Sequence, residues 1–147
     1  MYKRLFFLLS MLIILFLTST SSLSQTYGEI FTNAEANQKF GRVLKSAVIP
    51  TSSLQGLLNY DNNYIMFKII DRKAIVLDYN RNVIYPIGEN IKSTDVFTVY
   101  SVSVINELLR LGNNAKVIVE QRSSVLSVSS GGFTMEVGAF CPPICPK

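Results

Sequence analysis

Hydrophobic and polar positions divide the chain into one continuous apolar run near its start and a longer remainder of alternating or helically spaced segments. The run is LFFLLSMLIILFL at residues 5–17, preceded by Met1-Tyr2-Lys3-Arg4 and followed by TSTSSLS. A basic head, a short apolar stretch and a small-residue tail form the pattern of a secretory signal peptide. Its 13 residues would span about 20 Å as a helix, short of the roughly 30 Å hydrocarbon core that an anchor must cross. Ser22 and Ser24 satisfy the small-x-small requirement, which predicts cleavage after Ser24 and Gln25 as the first mature residue. No Cys follows the run, so lipoprotein processing is excluded. The expected location is periplasmic or extracellular, with no membrane association once residues 1–24 are removed.

Beyond the run, TNAEANQKFG (32–41) predicts a short helix, with Thr32 and Glu35 as a capping box and Gly41 as its stop. GRVLKSAVIP (41–50) alternates loosely and ends at Pro50, as an edge strand would. TSSLQGLLNYDNN (51–63) opens on hydroxyl residues suited to N-capping and puts Leu54, Leu57 and Leu58 on one helical stripe. YIMFKII (64–70), a turn at Asp71-Arg72, KAIVLDY (73–79), a turn at 80–82 and NVIYP (82–86) read as three strands. After a polar connection (87–95) comes the strand VFTVYSV (96–102). The strongest helix follows, SVINELLRLG (103–112), with Ser103 as its expected cap and Gly112 as its expected stop. KVIVEQR (116–122), SVLSVSS (124–130), a Gly131-Gly132 turn and FTMEVGAF (133–140) complete a second set of strands.

These elements predict an α+β fold: an antiparallel sheet of about six to eight strands with two main helices on one face, in a single domain over 25–140 followed by a Cys/Pro tail, 141–147. A gap-free shift of 51 residues lays SSLQGLLNYDNN (52–63) on SVINELLRLGNN (103–114), and raises two β-α-β-β-β repeats, 45–87 and 96–138, as an elaboration of that fold. The same shift lays Ile75 and Leu77 on Leu126 and Val128. One strand resists it, because Ile65, Phe67 and Ile69 mark the inward face of the first copy whereas Val117 and Val119 mark that of the second, a one-residue slip. Helices confined to one side would leave the opposite strand face, with Tyr64, Met66 and Lys68, as the candidate interaction surface. Cover by the N-terminal helix or the 87–95 connection is the competing reading of that face.

Composition narrows the chemistry. The 147 residues are 48% hydrophobic and only 16% charged, which excludes a disordered chain. The formal charge of +4 falls to +2 when Lys3 and Arg4 leave with the signal, and the remaining cations form no concentrated face. Nucleic-acid binding is therefore not expected. There is no His, which removes histidine-based acid–base catalysis, triads and metal sites. Acidic residues fall mostly at caps, turns and solvated faces, with Glu120 and Glu136 on predicted strands, and a distant carboxylate pair is not visible from spacing. No catalytic residue, cofactor or enzymatic role is expected. The reading is a small exported non-catalytic binding or interaction module whose partner is another protein or a cell-envelope component.

The compact chemical feature is the tail CPPICPK, with Cys141 and Cys145. In an exported chain the pair reads as a disulfide within the chain or between chains, or as free thiols. An intrachain bridge needs the tail to turn, since four steps of polyproline-like chain span about 12 Å and a disulfide needs Cα atoms within about 7 Å. Pro143 is the expected cis position of such a turn. C-P-x-x-C-P is similar, over six residues, to the copper-binding loop of the copper chaperones that assist cytochrome oxidase assembly. That resemblance implies Cu(I) or thiol-redox handling by Cys141 and Cys145 as the alternative function. The family's loop precedes a helix in a thioredoxin-like fold and a distant His completes the metal site; here no helix follows and no His exists. A thiol–disulfide catalyst would also want a helix N-terminus to lower the Cys pKa, and none follows here.

Overall fold

The computed structural model describes residues 25–59, 63–142 and 145. The expected signal peptide (1–24), Asp61, Asn62 and Pro143 lie outside the described residues.

In chain order the elements are β1 (Glu29–Thr32), α1 (Asn33–Phe40), β2 (Lys45–Pro50), α2 (Thr51–Leu57), β3 (Tyr64–Ile70), β4 (Lys73–Leu77), β5 (Val83–Tyr85), β6 (Phe97–Ser101), α3 (Val102–Gly112), β7 (Lys116–Gln121), β8 (Leu126–Ser130), β9 (Phe133–Glu136) and β10 (Ala139–Cys141). The class is α+β, as the periodicity predicts. The strands form two antiparallel five-stranded sheets, β1-β9-β8-β7-β2 and β10-β6-β3-β4-β5, not the single sheet expected. The reason lies in the two strand–helix units. β2 pairs with β7, and its chain then passes through α2 into β3 of the other sheet. β6 pairs with β3 and passes through α3 into β7 of the first. Alternation along a strand reveals which residues share a face, but not which sheet the strand joins.

Inner faces of both sheets and the stripes of α2 and α3 share one core. Ile65, Phe67, Ala74 and Val76 come from the second sheet, Val117, Val119, Leu126 and Val128 from the first, and Leu54, Leu57, Ile105, Leu108 and Leu109 from the helices. Tyr100 bridges the layers: it is completely buried on β6 and its hydroxyl donates to the Leu126 carbonyl across the core.

Local signals hold in several places. Thr32 and Glu35 make the reciprocal capping box of α1, and Gly41 ends it at φ 82°. Asp71 and Arg72, at φ 47° and 64°, form the two-residue hairpin turn whose twist matches the flanking strands. The hydroxyl caps fail. α2 follows Pro50, and Thr51 instead donates to the Asn114 carbonyl at 2.6 Å. α3 begins one residue earlier than expected, after Ser101, whose Oγ accepts from the Tyr27 amide. Asn113 adopts the left-handed stop at φ 41°, while a Cβ on Gly112 would collide with Ser130.

The slip is real. Ile65 and Phe67 share the core with Val117 and Val119, and Ala74 and Val76 share it with Leu126 and Val128, an offset of 52 rather than 51 residues. Ile75 and Leu77 face away from that core and match Ser127 and Ser129, which corrects the gap-free alignment. Beyond the helix, the second half thus carries one residue more, and the two halves keep equivalent inner faces.

Candidate functional site

The outer faces are where the halves part company. On the second sheet the outer face is apolar: Met66, Ile75, Leu77, Phe97, Val99 and Cys141 form a second buried cluster. Tyr27, Ile91 and Cys145 pack against it from the N-terminal segment, the 87–95 connection and the tail. Tyr64 is partly buried there, its ring 5.5 Å from that of Tyr27 and its hydroxyl donating to the Gln25 carbonyl at 2.8 Å. Lys68 is partly exposed and pairs with Asp95 at 2.6 Å. That ammonium, together with the Lys92 amide, holds the Asp95 carboxyl below its ordinary range. Met66 has no exposed surface at all. The strand alternation placed these three residues correctly on the far face. The face is nevertheless covered, so Met66 is a core residue and not a contact residue.

Over β8 and β9 the first sheet's outer face is polar, yet buried, with α1 lying against it, whereas Val48 and Ile118 on β2 and β7 remain exposed. Arg122, 2% exposed, is its hub. Its guanidinium donates to Ser127 Oγ at 3.0 Å, to Asn37 Oδ1 at 2.7 Å and to the Gly41 carbonyl, and contacts Glu120 at 3.1 Å and Glu136 at 3.0 Å. Ser127 donates to Glu136, Ser129 donates to Glu120, and Thr134 donates to Asn33 Oδ1. Asn33 and Asn37, one helical turn apart, are thus the polar side chains by which α1 grips the sheet, beside the Phe40–Phe31 contact. Glu120 and Glu136 do converge, as spacing alone could not show, but on a shared cation beneath a helix. Burial pushes the Glu136 carboxyl above its usual range despite the hydroxyl and guanidinium beside it, and Glu120 adds repulsion. Among the described residues its second oxygen is buried without a hydrogen-bond partner. Both carboxylates are engaged in holding the strands and α1 together.

An opening lies at the end of the sandwich away from α2 and α3. Strand registers bring Lys45, Gln121 and Leu126 together on one sheet at this end, and Phe67, Thr98 and Phe140 on the other. A cleft of about 140 Å³ lies between them, lined by Phe67, Thr98, Leu126 and Phe140. A larger depression of about 580 Å³ lies beside it, between Leu44–Ser46 and the Asp71-Arg72 hairpin tip. Ile69 lines both, so cleft and depression adjoin, and together they are the groove at this end. Leu44, Val96 and Phe140 on its rim are 55%, 46% and 47% exposed. Phe140 escaped sequence reading because 133–140 looks like one strand. Val137, at φ 62°, breaks it, and β10 continues on the other sheet.

Cys141 and Cys145 are joined to each other, with Cα atoms 4.7 Å apart. Among the described residues of the tail, Cys141-Pro142 is a cis bond. Both sulfurs are therefore engaged, and Cu(I) could meet them only after reduction. Among the described residues, no group of three or more acidic or Cys side chains is placed to hold a metal ion. Arg81 is the neighbour no motif announced. Held by the Asp78–Asn82 turn at φ 67°, it donates to the Cys141 carbonyl at 3.2 Å and lies 3.5 Å from Cys141 Sγ. Comparisons with protein-family models, curated proteins and solved structures find no match.

Proposed function

We propose that this protein is a small exported, non-catalytic binding module that takes an apolar segment of a partner protein or cell-envelope component into the groove at the helix-free end of its sandwich. The observation that carries this reading is the half-exposed apolar rim of Leu44, Val96 and Phe140 around a cleft whose floor is core. Large apolar side chains gathered at one concave place favour a binding role over a merely solvated surface. The titratable clusters support it by contrast, since each is consumed in holding an element down. Export agrees with the N-terminal pattern and with a disulfide in the tail. We also propose that the two halves descend from one β-α-β-β-β unit. The matching element order and the offset of 51 to 52 residues support duplication.

The test uses an apolar fluorescent probe, anilinonaphthalene sulfonate, on purified protein. Native protein should enhance its emission. Leu44→Asp and Phe140→Asp should each remove most of that enhancement without changing the melting temperature by more than a few degrees. Tyr64→Glu should leave the enhancement in place. Absence of enhancement in the native protein, or enhancement indifferent to both groove substitutions, would overturn the assignment.

A further inference from the structure

The Arg81–Cys141 contact supplies what the tail lacks in sequence, a fixed positive charge at one sulfur. Arg81 also donates to the Asp95 carbonyl at 2.9 Å and lies 5.5 Å over the Phe97 ring, and among the described residues it forms no ion pair with a carboxylate. Asp95, the nearest acid in that loop, is occupied by Lys68. Among the described residues the guanidinium therefore faces Cys141 without a carboxylate paired to it. The two sulfurs differ in access as well: Cys141 is fully buried and Cys145 only partly.

We propose that the Cys141–Cys145 disulfide is a thiol–disulfide exchange site, with Cys145 the sulfur attacked and Arg81 the residue that stabilises Cys141 as leaving thiolate. Its substrate class is a dithiol protein or small dithiol. One thiolate of the dithiol attacks Cys145 Sγ, forming a mixed disulfide as the Cys141–Cys145 bond breaks and its electron pair passes to Cys141 Sγ beside Arg81. The second thiol of the reductant, deprotonated, then attacks its own sulfur in the mixed disulfide and releases Cys145 as a thiolate. The dithiol is oxidised by two electrons and the tail pair is reduced by two. The protons of the dithiol pass to solvent or to the released thiolates. A cation at the leaving sulfur accelerates such a displacement and stabilises the reduced form, making the disulfide more oxidising. This site is separate from the groove and does not depend on it.

Two measurements on purified protein decide the matter. Equilibration in glutathione redox buffers, read by alkylation and mass spectrometry, should show Arg81→Gln shifted about tenfold toward the disulfide, about 30 mV. Reduction by dithiothreitol should slow by a similar factor, and Arg81→Lys should recover part of both. Independently, thiolate absorbance in a Cys145→Ala variant should titrate Cys141 below the ordinary thiol value of about 8.5, with Arg81→Gln moving it upward. A purely structural clamp would change the melting temperature but neither the thiol titration nor the exchange equilibrium. A Cys141 titrating at or above 8.5 with Arg81 intact overturns the proposal, as does an equilibrium unchanged in Arg81→Gln.

Discussion

Replacing Arg122 by Met keeps the length and apolar stem of the side chain and removes its charge and donors. The guanidinium is 2% exposed and serves Ser127, Asn37, the Gly41 carbonyl, Glu120 and Glu136 at once. Its loss leaves the buried Glu136 and the neighbouring Glu120 without a cation, and it cuts the tie from the sheet to α1. Removing one member of a buried ion pair costs about 3–5 kcal/mol, chiefly because the stranded charge stays buried. With a urea slope of about 1.5 kcal/mol/M, the unfolding midpoint should fall by roughly 2–3 M. The loss should also depend on pH. Glu136 already has its carboxyl raised above the reference value of 4.5 by burial. Its contribution is thus full below the unfolded pKa and declines as pH rises through the folded one. Without Arg122 that decline steepens, so Arg122→Met should be more damaging at pH 7 than at pH 4. Adding Glu136→Leu and Glu120→Gln to Arg122→Met should recover at least half of the loss. A loss below about 1 kcal/mol at pH 7, or one independent of pH, would refute the reasoning.

Met66→Glu should unfold the domain or leave it expanded by near-ultraviolet circular dichroism, whereas Tyr64→Glu should remain folded, because only Met66 is sealed in the core. Tyr100→Phe should cost about 1–2 kcal/mol in urea unfolding, from the carbonyl it leaves unpaired. Burial first, and Glu136 second, raise this phenol well above 10.0. Stability should therefore decline as pH climbs past about 10, and Tyr100→Phe should lack that part of the decline. Asp95→Asn should flatten the acid limb of the stability profile: the Asp95 carboxyl lies below its reference of 3.8, so its contribution is present above that pH and lost as pH falls through the folded value. Gly112→Ala should cost about 1–3 kcal/mol by thermal melting, since its methyl group would overlap Ser130.

Much of the local architecture was legible because it rests on short-range rules. Thr32 and Glu35 specify a capping box by their own side chains, and the Leu108-Leu109 stripe of α3 is buried wherever the helix lands. The assignment of strands to two sheets is a long-range choice, made when β2 pairs with β7 and β6 with β3. Period-two alternation is silent on such choices. Met66 shows the same limit: alternation placed it opposite Phe67, but its burial depends on Tyr27, Ile91 and the tail returning from distant parts of the chain. The candidate sites were hidden for related reasons. Ser127, Ser129, Thr134 and Glu136 read as a solvated strand face by composition, and only the docking of α1 buries them. Arg81 looks like an ordinary turn residue until the tail arrives 60 positions later.

Binding α1 through Asn33 and Asn37 has a consequence for how the molecule can open. A helix seated on leucines would, on lifting, bare an adhesive surface to neighbouring molecules. Beneath α1 the ground is mostly hydroxyl, carboxylate and guanidinium, and these groups accept water as readily as they accept asparagine. Detachment of this helix would hydrate that polar ground, with Phe31, packed on Phe40 of α1, as the apolar side chain it uncovers. An opening of that kind would expose groups that water satisfies, which limits what a neighbouring molecule could stick to.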